Sequence, residues 1–386
     1  MLFTDKKRQM RAKKTEQFVP GLSNGSVFPG LRVVSLQRPF GTEYFITAVQ
    51  EPGLSPQKMF EQILKYIETK KAAIISQDVF GLPDGRGSKN SGKYPEQLSS
   101  ANWPVTWLEG HISSNLSGTY IWAVSGSDVT PIYLQNCVVG NIVEDECVRF
   151  IRLGGLTARE TVKTPPQQTR EVLEQIETAL KTNKMDFSNV IRTWFYNRNI
   201  TSWYREFNLA RDKYFQERNV FDRLVPASTA VGKYNSTDIA LIGGALAVQS
   251  KGEDIQPFAL PSPLQGSALE YGSSFSRAVE LVLPDHRRLY VSGTASIEPN
   301  GKTIYPNDTP GQVRHSLEVI YAILKSRTMD WSDVTRAIAY FKRAEEAVLL
   351  SEYCRTNELP PFPVIITEND ICRDDLLFEI EVDAIK

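Results

Sequence analysis

The chain has 386 residues, 41% of them hydrophobic, and its 44 basic and 45 acidic residues leave a formal charge of -1. That balance gives no global field to hold a polyanion, so nucleic acid is not expected as a partner. No window approaches the ~20 apolar residues of a membrane helix, and Cys137, Cys147, Cys354 and Cys372 lack CxxC spacing, which argues against a disulfide framework or a metal site and fits a reducing cytoplasm.

In chain order, the basic run at 6–14 reads as a solvated tail. Residues 31–35 and 43–49 read as strands, 55–70 as a helix with Met59, Ile63 and Ile67 in register, and 72–80 as a strand. A polar loop follows at 81–100, then strands at 105–109, 119–124 and 132–143. From Val148 the pattern is strand, polar loop, and a helix whose Val172, Leu173, Ile176 and Leu180 share one face, with Thr169 as candidate cap. The β-rich run 190–196, a helix at 202–215 and a strand pair near 228–232 and 239–248 complete this stretch. The Pro- and Ser-rich residues 256–267 read as a linker. The last third gives strands at 278–283 and 288–296, a turn at 299–302, a helix carrying Val313, Leu317, Ile320 and Leu324, and a strand at 334–341. A helix near 344–355 and strands at 364–367 and 376–385 close the chain.

The middle and last stretches are copies. Residues 168–192 and 312–336 share 12 identities in 25 positions, more than amphipathic patterning produces. Extending the match with gaps sets Gly243 beside Glu379. Each copy reads as a mixed sheet with two helices on one face, an α+β architecture. The implied division is 1–140, a degenerate copy of the unit; 141–255, the middle unit; and 268–386, the last unit.

This unit resembles the Rid (YjgF-like, endoribonuclease L-PSP) family, whose small α+β, chorismate-mutase-like members form trimers with clefts between neighbouring sheets. The carrying residues are Tyr290-Val-Ser-Gly293, Gln312, Asp333-Val-Thr-Arg336 and Glu379-Ile-Glu381 in the last copy. In the middle copy they are Leu153-Gly-Gly155, Gln168, Asn189-Val-Ile-Arg192, Phe207-Asn208 and Pro226-Ala-Ser228. Three fused copies imply an intrachain pseudo-trimer, monomeric in solution; an unrelated first third would favour a homo-oligomer.

Within that superfamily, residues 271–278, 292–296 and 371–379 are similar to the chorismatases, fused members that hydrolyse chorismate without a cofactor. The resemblance implies Glu379 as proton donor to the enol ether and Cys372 as a residue shaping the fate of a cyclohexadiene intermediate. Tyr204, Asn208, Arg211, Tyr271, Arg277, Ser292, Gly293, Ala295 and Arg373 would bind a small carboxylate substrate between the middle and last copies. One departure is clear: the arginine that grips carboxylates in deaminating Rid enzymes is Val364 in the last copy and Ser228 in the middle one, which weakens imine hydrolysis as an alternative.

The bare residues leave other readings open. Alternation puts Glu379 and Glu381 on one strand face, and that face belongs to a pocket or to a solvated edge. Cys372 alone is a small buried hydrophobe, Arg373 binds a carboxylate or ends a strand, and His286 and His315 are bystanders. No Ser/His/Asp set, phosphate loop or dinucleotide pattern is present. A non-catalytic ligand-binding protein is the rival from another class.

Overall fold

The computed structural model describes residues 21–81, 101–109, 118–159, 163–233, 239–252 and 255–386. The basic run and most of the 81–100 loop lie outside them. Branched and aromatic runs build three six-stranded sheets. The first contains β1 (Gly21–Phe28), β2 (Leu31–Arg38), β3 (Gly41–Val49), β4 (Ala73–Phe80), β5 (Val105–Leu108) and β6 (Gly118–Ser125) in the order β1-β2-β3-β6-β4-β5. The second contains β7 (Val129–Leu134), β8 (Cys137–Glu144), β9 (Val148–Thr157), β10 (Val190–Asn197), β11 (Ala227–Gly232) and β12 (Leu241–Ser250), ordered β7-β8-β9-β12-β10-β11. The third contains β13 (Phe258–Leu260), β14 (Ala278–Val282), β15 (Arg287–Ala295), β16 (Val334–Phe341), β17 (Ile365–Glu368) and β18 (Phe378–Ile385), ordered β13-β14-β15-β18-β16-β17. One topology is therefore used three times, with a single parallel pairing in each sheet.

Several sequence expectations shift. Residues 132–143 are two strands, divided at Gln135 and Asn136, both at positive φ, and they pair into the second sheet. Sheet membership thus changes between Ser125 and Val129, ahead of the 140/141 division. The 256–267 stretch contributes edge strand β13 as well as a connection. The two strands after the 202–215 helix are not partners: β11 and β12 flank β10.

The helices are α1 (Pro56–Thr69), α2 (Pro165–Lys181), α3 (Tyr204–Glu217), α4 (Thr309–Ser326) and α5 (Val348–Thr356). Ser55 caps α1. Thr169 is buried inside α2, whose start is set by Thr164, with Gln167 Oε1 accepting from Thr164 N at 2.9 Å. In the first sheet, α1 is the helix found among the described residues. None of the helices in these residues is long and apolar enough to cross a membrane.

The repeated residues hold repeated joints. Gln168 Oε1 accepts from Ala240 N at 2.9 Å, and Gln312 Oε1 from Leu377 N at 2.8 Å, each tying a helix start to the strand that follows. The helix-facing sheet surfaces form one apolar cluster per sheet, while the opposite surfaces of all three sheets share a fourth. Phe378, Ile380, Val382 and Ala384 belong to a helix-side cluster, so the alternation turns Glu379, Glu381 and Asp383 toward the shared interior.

The sheets meet at three seams: β4 and β5 against β9, β11 against β15, and β16 and β17 against β3. Strand register corrects the sequence alignment by one residue. Tyr196 faces Ile242 and Tyr340 faces Glu379, so Ile242, not Gly243, is the counterpart of Glu379.

Candidate active site

The site lies where β11 of the second sheet meets β15 and β18 of the third. Val291 pairs with Val382 and Thr294 with Ile380, so Ser292 and Gly293 together oppose Glu381 in a β-bulge. The bulge presents Gly293 N to Thr229 Oγ1 at 3.0 Å. It also brings Gly293 so close to Glu379 that an added Cβ would collide with Glu379 Oε1. Ser292 crosslinks the sheets, its hydroxyl accepting from Ser228 N at 2.9 Å and donating to Ser276 O at 2.5 Å. Its role there is to join backbones.

Glu379 stands on a central strand and is 5% exposed, which excludes the solvated-edge reading. Burial, followed by the charge of Glu381, pushes its carboxyl up to about 8 against the pull of Arg192, Arg277 and Arg373. Among the described residues its carboxyl makes no hydrogen bond, and it lines a small cavity. Glu381, two residues on, is the opposite case. Its carboxylate meets Arg192 and Arg336 nitrogens at 2.6 Å each, Trp194 Nε1 at 3.0 Å, Tyr340 OH at 3.1 Å, and the Thr229 hydroxyl. Burial opposes ionisation, yet Arg336 and Arg192 win and hold it below the usual range.

The structure brings Glu379, Cys372, Arg373, Gly293, Ala295, Tyr271, Arg277, Tyr204 and Arg211 around one cavity of about 30 Å³. A vestibule of about 540 Å³ shares Tyr204, Tyr271, Ser273 and Arg373 and adds Asn208. Arg211 is buried and hydrogen-bonds Asn208 Oδ1 at 2.6 Å, while its Nε has no partner. Arg277 Nε donates to Gly266 O at 2.9 Å, and its Nη2 has none. Neither guanidinium has a carboxylate partner among the described residues, and burial lowers both. Arg373 Nη1 donates to Gly301 O at 2.6 Å. Ser228 lies in β11 and Val364 immediately precedes β17, one residue before the Ile338–Ile365 pair that matches Trp194–Thr229, and Arg211 reaches across from α3 to Ser228 Oγ at 3.5 Å, placing a guanidinium beside the position the Rid resemblance left without one.

Burial and the neighbouring Glu379 push the Cys372 thiol up to about 12, so it is a neutral thiol. His286 lies elsewhere, held by Asp285 at 2.8 Å, and His315 contacts Ser296 at 3.2 Å. Thr229, which ties Gly293, Arg192 and Glu381 together, is absent from the sequence candidates. The available signal was the repeat itself, since Thr106 holds the same register in the first sheet. Among the described residues no group of His, Cys, Asp and Glu is arranged to hold a metal.

Comparison with known proteins bears on the fold and the family. The family described as Endoribonuclease L-PSP matches residues 150–235. A chorismatase of Streptomyces hygroscopicus is 24% identical over 223 residues, 52% of this chain and 62% of that protein. A 3-hydroxybenzoate synthase of the same organism is 27% identical over 225 residues, covering 50% of this chain and 63% of its own. The matches thus span less than two thirds of either relative. A crystal structure of chorismatase superposes over 88% of this chain and 98% of its own, with a TM-score of 0.62 and 17% identity. That likeness concerns the fold. Over parts of its length the chain is thus similar to the Endoribonuclease L-PSP family and to the chorismatases, and it shares the fold of a chorismatase.

Proposed function

We propose that the protein is a chorismatase-like hydrolase that removes pyruvate from chorismate or a related enol ether, with Glu379 as proton donor. The observation that carries this reading is a buried carboxyl group, pushed up to about 8 by burial and Glu381, in a cleft with two guanidinium groups that have no carboxylate partner among the described residues. Chorismate has two carboxylates for Arg211 and Arg277, and Arg373 stands between the inner cavity and the vestibule. Glu379 gives its proton to the enolpyruvyl methylene carbon. Water then adds to the oxocarbenium carbon, and the hemiketal collapses to pyruvate and a dihydroxylated diene.

The test is incubation of purified protein with chorismate, with pyruvate followed by a coupled assay and cyclic products by chromatography. Pyruvate release is expected to fall roughly a hundredfold to ten-thousandfold in Glu379→Gln. No turnover by the folded parent would overturn the reading. A second reading, Rid-type imine hydrolysis with Glu379 orienting water, is favoured by Arg211 at Ser228, which supplies a cation for a substrate carboxylate. Ammonia release from small imino acids, without pyruvate release from chorismate, would select it.

A further inference from the structure

Glu379 is faced by charged and titratable groups from every element around it. They are Glu381 on its own strand, Tyr340 opposite it on β16, Arg192 on β10, Arg277 ahead of β14, Cys372 and Arg373 ahead of β18, Tyr204 and Arg211 on α3, and Tyr271 beside Arg277. Among these, Glu381 is the other carboxylate, and five donors from two sheets fix it in place. A strand rise puts it about 7 Å along from Glu379 on the same face. In the repeat, the two carboxylates are lost together. The counterparts of Glu379 and Glu381 are Ile242 and Gly244 in the second sheet, and Gly118 and Tyr120 in the first.

We infer that Glu381 is a positioning residue for the proton donor: it stays clear of the substrate, and its clamped carboxylate is the fixed negative charge against which Glu379 has to ionise. The inference rests on Glu379 acting as an acid. A carboxylate held by five donors cannot itself deliver a proton at neutral pH. Its neighbour makes no hydrogen bond to the described residues, so neighbouring charge and burial decide its protonation.

Two variants separate this role from simple support of the fold. Glu381→Gln removes the opposing charge and leaves Arg192 and Arg336 unneutralised, so the alkaline limb of kcat/KM is expected to move down by about one to two pH units. Activity at pH 8 would then fall about tenfold or more relative to that at pH 6. Arg192→Met removes a cation that favours Glu379 ionisation, and the limb is expected to move up. If Glu381→Gln fails to fold, Arg192→Met carries the test. Infrared titration without substrate reads the Glu379 carboxyl band directly, identified by its loss in Glu379→Gln. Opposite shifts of that band support the inference. An unshifted band in variants of an active enzyme would overturn the inference alone. Shifted bands without chorismate turnover by any form would overturn the hydrolase reading and leave the coupling standing.

Discussion

The seam between the first and second sheets and the seam between the second and third share one frame and differ in what fills it. Thr106 Oγ1 accepts from Gly155 N at 3.1 Å in the one, and Thr229 Oγ1 from Gly293 N at 3.0 Å in the other. An arginine–carboxylate pair crosses each, with reversed polarity: Asp78 of the first sheet meets Arg152 of the second at 3.0 Å, while Arg192 of the second meets Glu381 of the third at 2.6 Å. The backbone frame has to be reproduced because buried N–H groups need partners. Which side brings the acid is free to vary once the pair is complete. The spare carboxyl, Glu379, occurs where the strand already carries a neutralised acid, and its counterpart Ile242 is an apolar member of the shared core. At the remaining seam Arg336 lies 5.1 Å from the Tyr120 ring centre and Ile365 crowds Gly118, the counterpart of Glu379.

Exchanging the two residues breaks the comparison most strongly. Glu379→Ile is expected to lower pyruvate release by roughly a hundredfold or more. Ile242→Glu is expected to add no activity and to cost several kcal/mol, on the order reported for a buried unpaired charge. The position of Arg192 there is Ser76, and Gly244 is approached by Arg152 Nη1, which donates to Leu153 O, while Nη2 of the same guanidinium is paired to Asp78. Activity assays of Glu379→Ile combined with urea denaturation of both variants check this. A stable Ile242→Glu protein that restored pyruvate release in the Glu379→Ile background would show that the frame alone suffices.

The same contrast has a pH signature. Glu379 has a folded-state value of about 8 against an ordinary 4.5, so the folded protein takes up a proton and the stability linked to it is complete below 4.5 and lost as pH rises toward 8. Relative to Glu379→Gln, the parent should lose on the order of 1.4 kcal/mol per pH unit across that window, with a plateau above it. Denaturant melts of both proteins from pH 5 to 9 measure the difference. A gap that does not vary with pH would mean that Glu379 is already ionised near pH 5.

The two glycines sharpen the comparison further. An Ala at Gly293 would press on Glu379 Oε1, whereas at Gly155 the added Cβ meets Val105 O at 2.6 Å in a backbone at φ +65. Gly293→Ala is therefore expected to cost roughly tenfold or more in kcat with little change in melting, since a displaced reacting group is sensitive to shifts near 1 Å. Gly155→Ala should lower stability by about 1–3 kcal/mol and leave the per-molecule activity of folded protein unchanged. The reverse pattern would move the site to the first seam.

Sequence alone revealed the repeat, the helix faces and the side of β18 that carries acids, because those follow from periods of 3.6 and 2 residues. The seam chemistry was less visible. Glu379 was aligned with Gly243 because the match across β12 and β18 needed gaps and the bulge at Ser292–Gly293 left no mark in the sequence. Asp78–Arg152 and Arg192–Glu381 join residues 74 and 189 positions apart, and single-chain periodicity carries no information on such pairs. Strand β1 (GLSNGSVF) was missed for a simpler reason, as its exposed polar residues show no alternation. Arg211 and Arg277 were legible as arginines near aromatic residues. That neither has a carboxylate partner among the described residues is a property of the folded cleft.

Cys372 gives the smallest and most specific expectation. Its thiol, raised to about 12, has no thiolate to attack with at pH 7 to 8, so a covalent step through sulfur is disfavoured and the group can act on an intermediate only as a neutral neighbour. Cys372→Ala should therefore leave pyruvate release within about threefold, well short of what removing a nucleophile costs, while the ratio of dihydroxylated diene to hydroxybenzoate changes. The thiol should also resist alkylation at pH 8 in the folded protein. Chromatographic product ratios with parent and variant decide it. If pyruvate release collapsed with the thiol, the proton-donor role assigned to Glu379 would have to be shared with sulfur, and the contrast with the acid-free seam would rest on two residues instead of one.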